Sequence, residues 1–414
     1  MRVNDLRRQS LEQLLGLAVT YKGLTRKRLA ESLGRDPSKL SRETANPKLD
    51  YLIRLAELLD WPVGDVAEVI WSEAGTDGAA PEFPTFAAAN DAAKAAHRAG
   101  DYAGMLHATK RMARLASTPE ERATAAHRES GAWDGMGRYT KEVDAVRRGL
   151  QESPITSDLR SLLQANLANT YYMLGYMLEA RAMAADLIED FGSSVPTTRG
   201  ARAAQAFSHY VHGHACRCLM TQQPDRGPRF ATLAKQSLQR SIDMYLPLAD
   251  EFDNPAWRGI ATTCFGGIIE ADVELGCKTP DAAIAELLTG LGTVVDSSDG
   301  LVGDRLESFG WWCIFGCDIA FRHFSAGDLQ RHVAVFTNKG YEIADRLNNW
   351  AMRERLFTME FARRQRLTEL AGLDVEWTID SEEVRVIVGT MGRFPLFKST
   401  GWKILQSATI IDDQ

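Results

Sequence analysis

The chain has 414 residues, of which 45% are hydrophobic and 25% are charged, and this composition is that of an ordinary globular protein. The length predicts two domains or a long repeat array. No run of about 18 uncharged apolar residues occurs, and the first residues, MRVNDLRRQSLEQ, lack the apolar stretch of a signal peptide. These features exclude membrane association and predict a cytoplasmic protein.

Charge is distributed unevenly along the chain. Residues 1–60 contain 12 Lys and Arg against 8 Asp and Glu, a net charge of +4, whereas the whole chain carries −7. The remaining residues must therefore carry −11. A basic N-terminal part is expected of a small domain that binds phosphate groups. A net charge of +4 suits salt-sensitive binding to phosphates by a dimer better than by a monomer.

Apolar residues recur at helical spacing in 6–21 and predict a first helix. The next stretch, LTRKRLAESLGRDPSKLSR (residues 24–42), predicts two short helices joined by a tight turn. Thr25 is a good helix cap, Gly34 permits the left-handed residue that ends the helix, and the Asp-Pro pair that follows can start the next helix. This is the pattern of a helix-turn-helix.

The second helix of this unit is predicted from Pro37 to about Thr44, with Leu40 on its buried face. Its outward side chains are small and polar or basic: Ser38, Lys39, Ser41 and Arg42. One α-helix fits the major groove of DNA, where Lys and Arg donate to guanine and Ser contacts either bases or phosphates. The alternative is a purely structural helical hairpin.

This stretch, with the leucines that follow it, resembles the lambda-repressor-like (Cro/C1, XRE) DNA-binding domain over roughly residues 5–72. The resemblance implies a five-helix domain that binds double-stranded DNA. The residues expected at the DNA are Arg26, Arg35, Ser38, Lys39, Ser41 and Arg42. Two departures from the family pattern concern specificity. Pro37 removes a side chain that usually reads a base, and Ala45-Asn46 replaces the usual Asn-Gly.

Two further helices, at 49–59 and 63–71, are predicted to complete the core of this domain. Gly and Pro are then frequent and apolar periodicity disappears. We therefore predict a DNA-binding domain at 1–72, followed by a linker at 73–84.

The pattern of residues 85–375 predicts consecutive helices separated by short breaks. Three breaks carry Gly followed by Tyr directly or after one residue, at Gly100, Gly137 and Gly175, which are 37 and 38 residues apart. This period is typical of helix-turn-helix solenoid units. Less regular units follow, and the helical pattern predicts about seven units in all. The alternative is an irregular all-α bundle.

The repeats resemble tetratricopeptide repeats in a degenerate form, so the expected fold class is all-α, with a helical sensor and dimerisation domain at 85–375. The last segment, 376–414, is predicted to form capping helices, although VRVIV (residues 384–388) could pass for a strand. Its large apolar side chains must be covered by the last repeat or by a second subunit: Phe394, Phe397, Trp402 and Ile404.

QANLANTYY (residues 164–172) lies on the first helix of a repeat, and such helices line the concave surface of a superhelix. Asn side chains both donate and accept hydrogen bonds, so they can hold the backbone of a bound peptide. The predicted ligand-binding residues are Asn166, Asn169, Tyr172, Gln205 and His209. The alternative is that these side chains satisfy carbonyl groups of the solenoid itself.

The cluster HYVHGHACRC (residues 209–218) contains two His and Cys pairs at i, i+4, but the pairs lie on different helix faces, whereas zinc needs converging ligands. We therefore expect packing rather than a metal site. None of the six cysteines forms a CxxC pair, so reduced thiols are expected. No catalytic or phosphate-loop motif is present, and we expect neither an enzyme nor a cofactor.

Together, the two predicted domains resemble the peptide-sensing regulators of the Rgg, PlcR and arbitrium-receptor type. The resemblance implies a homodimeric transcription regulator of the quorum-sensing kind, in which a short peptide bound by the repeats changes the spacing of two recognition helices on DNA. The alternatives are a protein-interaction scaffold that the helix-turn-helix recruits to DNA and a small-molecule sensor.

Overall fold

The computed structural model describes residues 3–37, 40, 47–71, 83–192, 196–295, 304–371 and 377–411. Within these ranges the chain is an all-α helical-repeat protein with only two short strands, which confirms the predicted fold class. None of the described helices is both long and apolar enough to cross a lipid bilayer. The chain forms two compact units, residues 1–82 and 83–414.

The first unit packs four described helices around one apolar core. They are α1 (Val3–Lys22), α2 (Arg26–Ser32), α3 (Leu49–Leu59) and α4 (Val63–Trp71). The predicted bounds of these helices are correct to within a few residues. Leu40 is buried, as predicted, but most of the predicted helix around it and most of the predicted linker lie outside the described residues.

The second unit begins with six helix pairs followed by a single long helix. The pairs are α5 (Phe86–Arg98) and α6 (Tyr102–Leu115), α7 (Pro119–Gly135) and α8 (Tyr139–Gln151), α9 (Ser157–Leu174) and α10 (Met177–Phe191), α11 (Arg199–Gln222) and α12 (Gly227–Glu251), α13 (Pro255–Glu274) and α14 (Pro280–Val295), and α15 (Asp304–His323) and α16 (Ala326–Leu347). The single helix is α17 (Trp350–Ala371). The last predicted unit is therefore one helix and not a pair.

The three predicted turn glycines each connect the two helices of a pair. Gly100, Gly137 and Gly175 have φ angles of +70°, +64° and +91°. An L side chain adopts this left-handed backbone only at a cost, so glycine is the residue that lets each turn close. The periodic Gly in the sequence is thus confirmed as the signal of the first three pairs.

Ala substitutions at two of these glycines should differ in effect. A Cβ at Gly100 meets no atom within 4 Å, whereas a Cβ at Gly137 would lie 2.8 Å from the Cβ of Trp350. We expect Gly100→Ala to lower the free energy of unfolding by about 1 kcal/mol through the backbone alone. Gly137→Ala should cost at least about 1 kcal/mol more because of the clash. Urea unfolding of the two variants measures the difference, and equal losses would contradict the contact with Trp350.

Residues 377–411 form what we call the C-terminal segment. It consists of β1 (Trp377–Asp380), α18 (Ser381–Met391), a 3-10 turn (Pro395–Phe397), α19 (Lys398–Ser407) and β2 (Ala408–Ile411). The two strands pair in parallel, with Trp377 opposite Ala408. VRVIV lies in α18, so the helical prediction for it was correct. The two strands were not predicted, since four residues are too few to show an alternating pattern.

The C-terminal segment packs back onto the second and third helix pairs. The Phe394 ring lies 5.6 Å from the ring of Tyr139 at the start of α8, and a Cβ at Gly175, in the turn of the third pair, would lie 3.0 Å from Cδ1 of Leu396. One cluster of buried side chains extends from α7 to α19. Phe394, Phe397 and Ile404, which were predicted to need covering, are therefore buried by this chain itself, whereas Trp402 is 58% exposed.

Candidate DNA-binding and ligand-binding sites

The turn of the predicted helix-turn-helix is built from local interactions. The Thr25 hydroxyl accepts a hydrogen bond from the Arg28 amide at 3.3 Å and caps α2. Gly34 has a φ of +66°, and the Arg35 amide donates to the carbonyl of Ala30 at 2.8 Å. This is the left-handed helix ending that the sequence predicted. The chain is thereby redirected toward the predicted recognition helix.

Four of the six predicted DNA-binding residues lie outside the described residues: Ser38, Lys39, Ser41 and Arg42. The other two can be placed. Arg26 is exposed at the start of α2 and donates to a carboxylate oxygen of Glu12 at 2.6 Å. The Arg35 guanidinium lies over the Tyr51 ring, 5.5 Å from its centroid. Their DNA contacts remain a prediction.

The predicted ligand-binding residues occupy different environments. Tyr172 is 2% exposed and packs in the core, with its ring 6.1 Å from that of His214. Asn169 is also buried, and its Oδ1 accepts no hydrogen bond within the described residues. Asn166 is half-buried on the same helix, and Gln205 is buried on α11. The described positions of the five residues do not line one common pocket. Their role in ligand binding remains a prediction.

The fifth of them, His209, lies on the face of α11 that is turned toward α12. Burial, with a smaller contribution from the charge of Arg240 on α12, lowers the pKa of His209 to about 4. On the same face, Nδ1 of His212 lies 2.8 Å from the hydroxyl oxygen of Ser237, and the Cys216 sulfur lies 3.9 Å from Nε2 of His212. Of these groups, His212 bonds to the neighbouring helix α12 through Ser237, whereas the contact of Cys216 with His212 lies within α11.

His212 should make the stability of the protein depend on pH. Burial, with smaller contributions from Arg181 and His209, lowers its pKa from 6.5 to about 4. The unfolded chain therefore binds a proton at pH 5 that the folded chain does not, and stability present above pH 6.5 is lost as the pH falls toward 4. The variant His212→Asn can still bond to Ser237. When the pH is lowered from 7 to 5, we expect the free energy of unfolding to fall by about 2 kcal/mol less in this variant than in the wild type.

Urea unfolding at the two pH values measures this effect. Parallel losses in His212→Asn and the wild type would contradict a neutral, buried His212.

His214 lies on the opposite face of α11, in an aromatic environment. Its ring centroid is 4.5 Å from that of Tyr210 and 5.5 Å from that of Phe315 on α15. It is fully buried, and neither ring nitrogen has a hydrogen-bond partner among the described residues. Burial lowers the pKa of His214 well below its ordinary value. His212 and His214 thus point away from each other, as the sequence indicated.

A buried ion network connects the first helices of three successive pairs. Arg217 on α11 donates to Glu270 on α13 at 2.7 Å and to Asp318 on α15 at 2.8 Å. Arg322 on α15 donates to Glu274 at 2.9 Å and also pairs with Glu270. The side chains of Arg217 and Glu270 are 3% and 0% exposed. Since buried charges are stable only when paired, this network fixes the register of α11, α13 and α15.

The electrostatics of Glu270 reflect this environment. Burial raises the pKa of its carboxyl, while Arg217 and Arg322 act in the opposite direction. The Arg217 guanidinium also lies 4.3 Å from the centroid of the Phe315 ring, which shields it from solvent.

The sequence patterns did not predict this network. A short signal was present, because Arg217 lies between apolar residues in ACRCLM and Glu270 follows directly on GGII. Charged residues inside apolar helices usually have a buried partner. The partners are 53 and 101 residues away, however, and periodicity does not identify them.

No known protein-family profile matches the chain, and no curated protein matches it. Among solved structures, the chain is similar to the crystal structure of Bacillus thuringiensis PlcR in complex with the peptide PapR7 and DNA. The two chains share 12% sequence identity with a TM-score of 0.33, and the alignment covers 85% of this chain and 98% of PlcR. Within the described residues, the geometry establishes an all-α helical-repeat chain in which four N-terminal helices share their own core and the repeats contain a buried ion network.

Proposed function

We propose that the chain is a DNA-binding transcription regulator whose helical repeats dimerise and bind a regulatory ligand, a short peptide, that alters DNA binding. The observation that carries the proposal is the α2 turn at Gly34. It combines a capped helix, a left-handed glycine and a buried Leu40 with a basic sequence, RDPSKLSR, directly after the turn. Such a unit presents one helix to the major groove. The proposal includes no catalytic activity.

The repeats provide the means of regulation in this proposal. Half-sites on DNA lie about 34 Å apart, so a dimer must hold its two recognition helices at a fixed spacing. A ligand that favours one arrangement of the repeats changes this spacing and with it the affinity for DNA. The peptide as ligand class rests on the resemblance to peptide-sensing regulators.

Binding to labelled DNA from the region upstream of the chain's own gene tests the DNA-binding role. The purified full chain is titrated at several salt concentrations beside random DNA of equal length. Specific binding whose affinity falls steeply with salt concentration supports the proposal, because each protein contact to a phosphate releases a counterion from the DNA. Equal binding to both DNAs at every salt concentration, with and without extracts containing short peptides, would contradict it.

The C-terminal segment offers a surface for the proposed dimer. Five of its large apolar side chains are more than half exposed: Val388, Leu396, Trp402, Ile410 and Ile411. Exposed apolar groups at this density favour an interface. We expect Trp402→Glu with Ile410→Glu to convert the dimer to a monomer without a change in helicity. Light scattering after gel filtration measures the mass, and Leu178→Glu, an equally exposed apolar position on α10, is the control. A dimer that survives in the double variant would place the interface elsewhere.

A further inference from the structure

A groove of about 470 Å³ lies on the surface of the third helix pair, where α9 turns into α10. Its lining residues come from the last turn of α9, the turn itself and one face of α10: Tyr171, Tyr176, Glu179, Ala182, Met183 and Asp186. None of the five predicted ligand-binding residues lines it. Tyr172, the neighbour of Tyr171 in sequence, lies in the core instead. The groove is therefore a separate feature of the repeats.

Two aromatic rings form one corner of the groove. Gly175 ends α9, and across this turn the Tyr176 amide donates to the carbonyl of Tyr171 at 2.9 Å. The turn holds the rings of Tyr171 and Tyr176 6.2 Å apart and at 79° to each other. Arg147 of α8 donates to the Tyr171 hydroxyl at 2.7 Å and fixes this ring, without itself lining the groove. Aromatic rings at nearly a right angle favour a cation between them, because ring faces carry partial negative charge.

The other wall of the groove is a face of α10 that combines apolar side chains with carboxylates. Glu179, Ala182, Met183 and Asp186 are spaced i, i+3, i+4 and i+7, so they lie on one side of the helix. Both carboxylates are exposed, and neither forms a hydrogen bond or an ion pair with another described residue. Seven residues of α-helix rise by about 10.5 Å, so the two negative charges lie at opposite ends of an apolar strip.

We propose that this groove is a docking site for a basic segment of a partner polypeptide in which two arginines flank an apolar residue. The apolar residue packs on Met183, whose flexible thioether side chain adapts to the shape of its partner. The two guanidinium groups pair with the carboxylates of Glu179 and Asp186, and one of them stacks in the tyrosine corner. Arginine suits this position because its planar group both pairs with carboxylates and stacks on aromatic faces.

Charge and polarity exclude other classes of segment. An acidic segment would be repelled by Glu179 and Asp186, and a neutral apolar segment would take both carboxylates out of water without giving them a partner. A basic segment neutralises them while its apolar residue covers Met183. This inference goes beyond the proposed function and does not rest on it, because the groove lies wholly in the second unit and outside the predicted ligand-binding residues.

NMR titration of the full chain, labelled with ¹³C at the methionine methyl groups, tests the groove, because Met183 lines it between the two carboxylates. The signal that disappears in Met183→Leu assigns this methyl group. The probe is the peptide N-acetyl-Arg-Leu-Arg-amide. The matched probe carries citrulline in place of both arginines, which keeps the size and the planar shape of the side chains but removes their charge.

The test variant, Glu179→Gln with Asp186→Asn, removes both carboxylates of the groove while keeping the side-chain shapes. The matched control, Glu189→Gln with Asp190→Asn, removes two exposed carboxylates of the same helix that do not line the groove. The signals of the other methionines show whether each variant is folded.

We expect the arginine peptide to shift the Met183 signal to saturation in the wild type and in the control. The citrulline peptide should bind at least about tenfold more weakly, because it loses two ion pairs and a cation–π contact. The test variant should bind the arginine peptide about fivefold more weakly than the control does, as the loss of two exposed ion pairs implies.

Three results would overturn the proposal: no shift of the Met183 signal with the arginine peptide, equal affinity for the two peptides, or equal affinity of the two double variants for the arginine peptide. Each of them would leave the DNA-binding proposal unaffected, because no residue of the groove belongs to the first unit.

Discussion

The double variant Lys39→Ala, Arg42→Ala is expected to lose specific DNA binding while its helicity and mass stay unchanged. Each base contact by Lys or Arg is worth about 1–3 kcal/mol, so removal of both should lower the affinity about 30-fold or more. Loss of phosphate contacts should also reduce the slope of log affinity against log salt concentration by about one or two, because one or two fewer counterions are released on binding. Fluorescence anisotropy with labelled DNA across a salt series measures both quantities.

The control for this variant removes two cations from the second unit. Lys110→Ala with Arg229→Ala changes the net charge equally at exposed positions of α6 and α12. If both double variants bound as tightly as the wild type at physiological salt, the helix after Gly34 would not be the recognition helix. If both weakened binding equally, only the net charge of the chain would matter.

Arg217→Met is expected to be the most destabilising substitution in the repeats. It leaves Asp318 without its partner and Glu270, which is 0% exposed, with Arg322 as its remaining guanidinium. Breaking a buried pair by removing one partner costs about 3–5 kcal/mol, because the remaining charge stays desolvated. Guanidinium chloride unfolding followed by circular dichroism measures the loss.

Arg331→Met is the matched control, since it removes the same side chain from a pair with Asp328 that is exposed on both sides. Such surface pairs contribute little to stability. A similar, small change in both variants would mean that water reaches the Arg217 network and screens it. A large loss at Arg217 alone would support its role in holding α11, α13 and α15 together.

The two predictions test different units of the chain and can fail independently. Loss of DNA binding in the first variant would not depend on the repeats remaining rigid, and unfolding in the second would not require a DNA-binding function. A third comparison becomes possible if both succeed. Arg217→Met at a temperature where it remains folded would show whether a loosened repeat array changes the affinity for DNA, as the proposed coupling between the units requires.

The helices and most of their ends could be predicted from the sequence, because they follow from local interactions. Thr25 caps α2 through an amide three residues away, and Gly100, Gly137 and Gly175 end helices in a left-handed backbone that other residues avoid. The all-α class and the pairing of neighbouring helices follow from the same short-range signals.

Contacts between distant residues could not be predicted from the sequence and depend on how the helices pack. Arg217 and Asp318 are 101 residues apart, and Arg355 bonds to the backbone of Tyr172 across 183 residues. Whether a long polar side chain is exposed or buried depends on how successive helix pairs pack against one another, and no single motif encodes that packing. The same reason explains why Gly137, Trp350 and Arg393, from three separate parts of the chain, come together only in the folded protein.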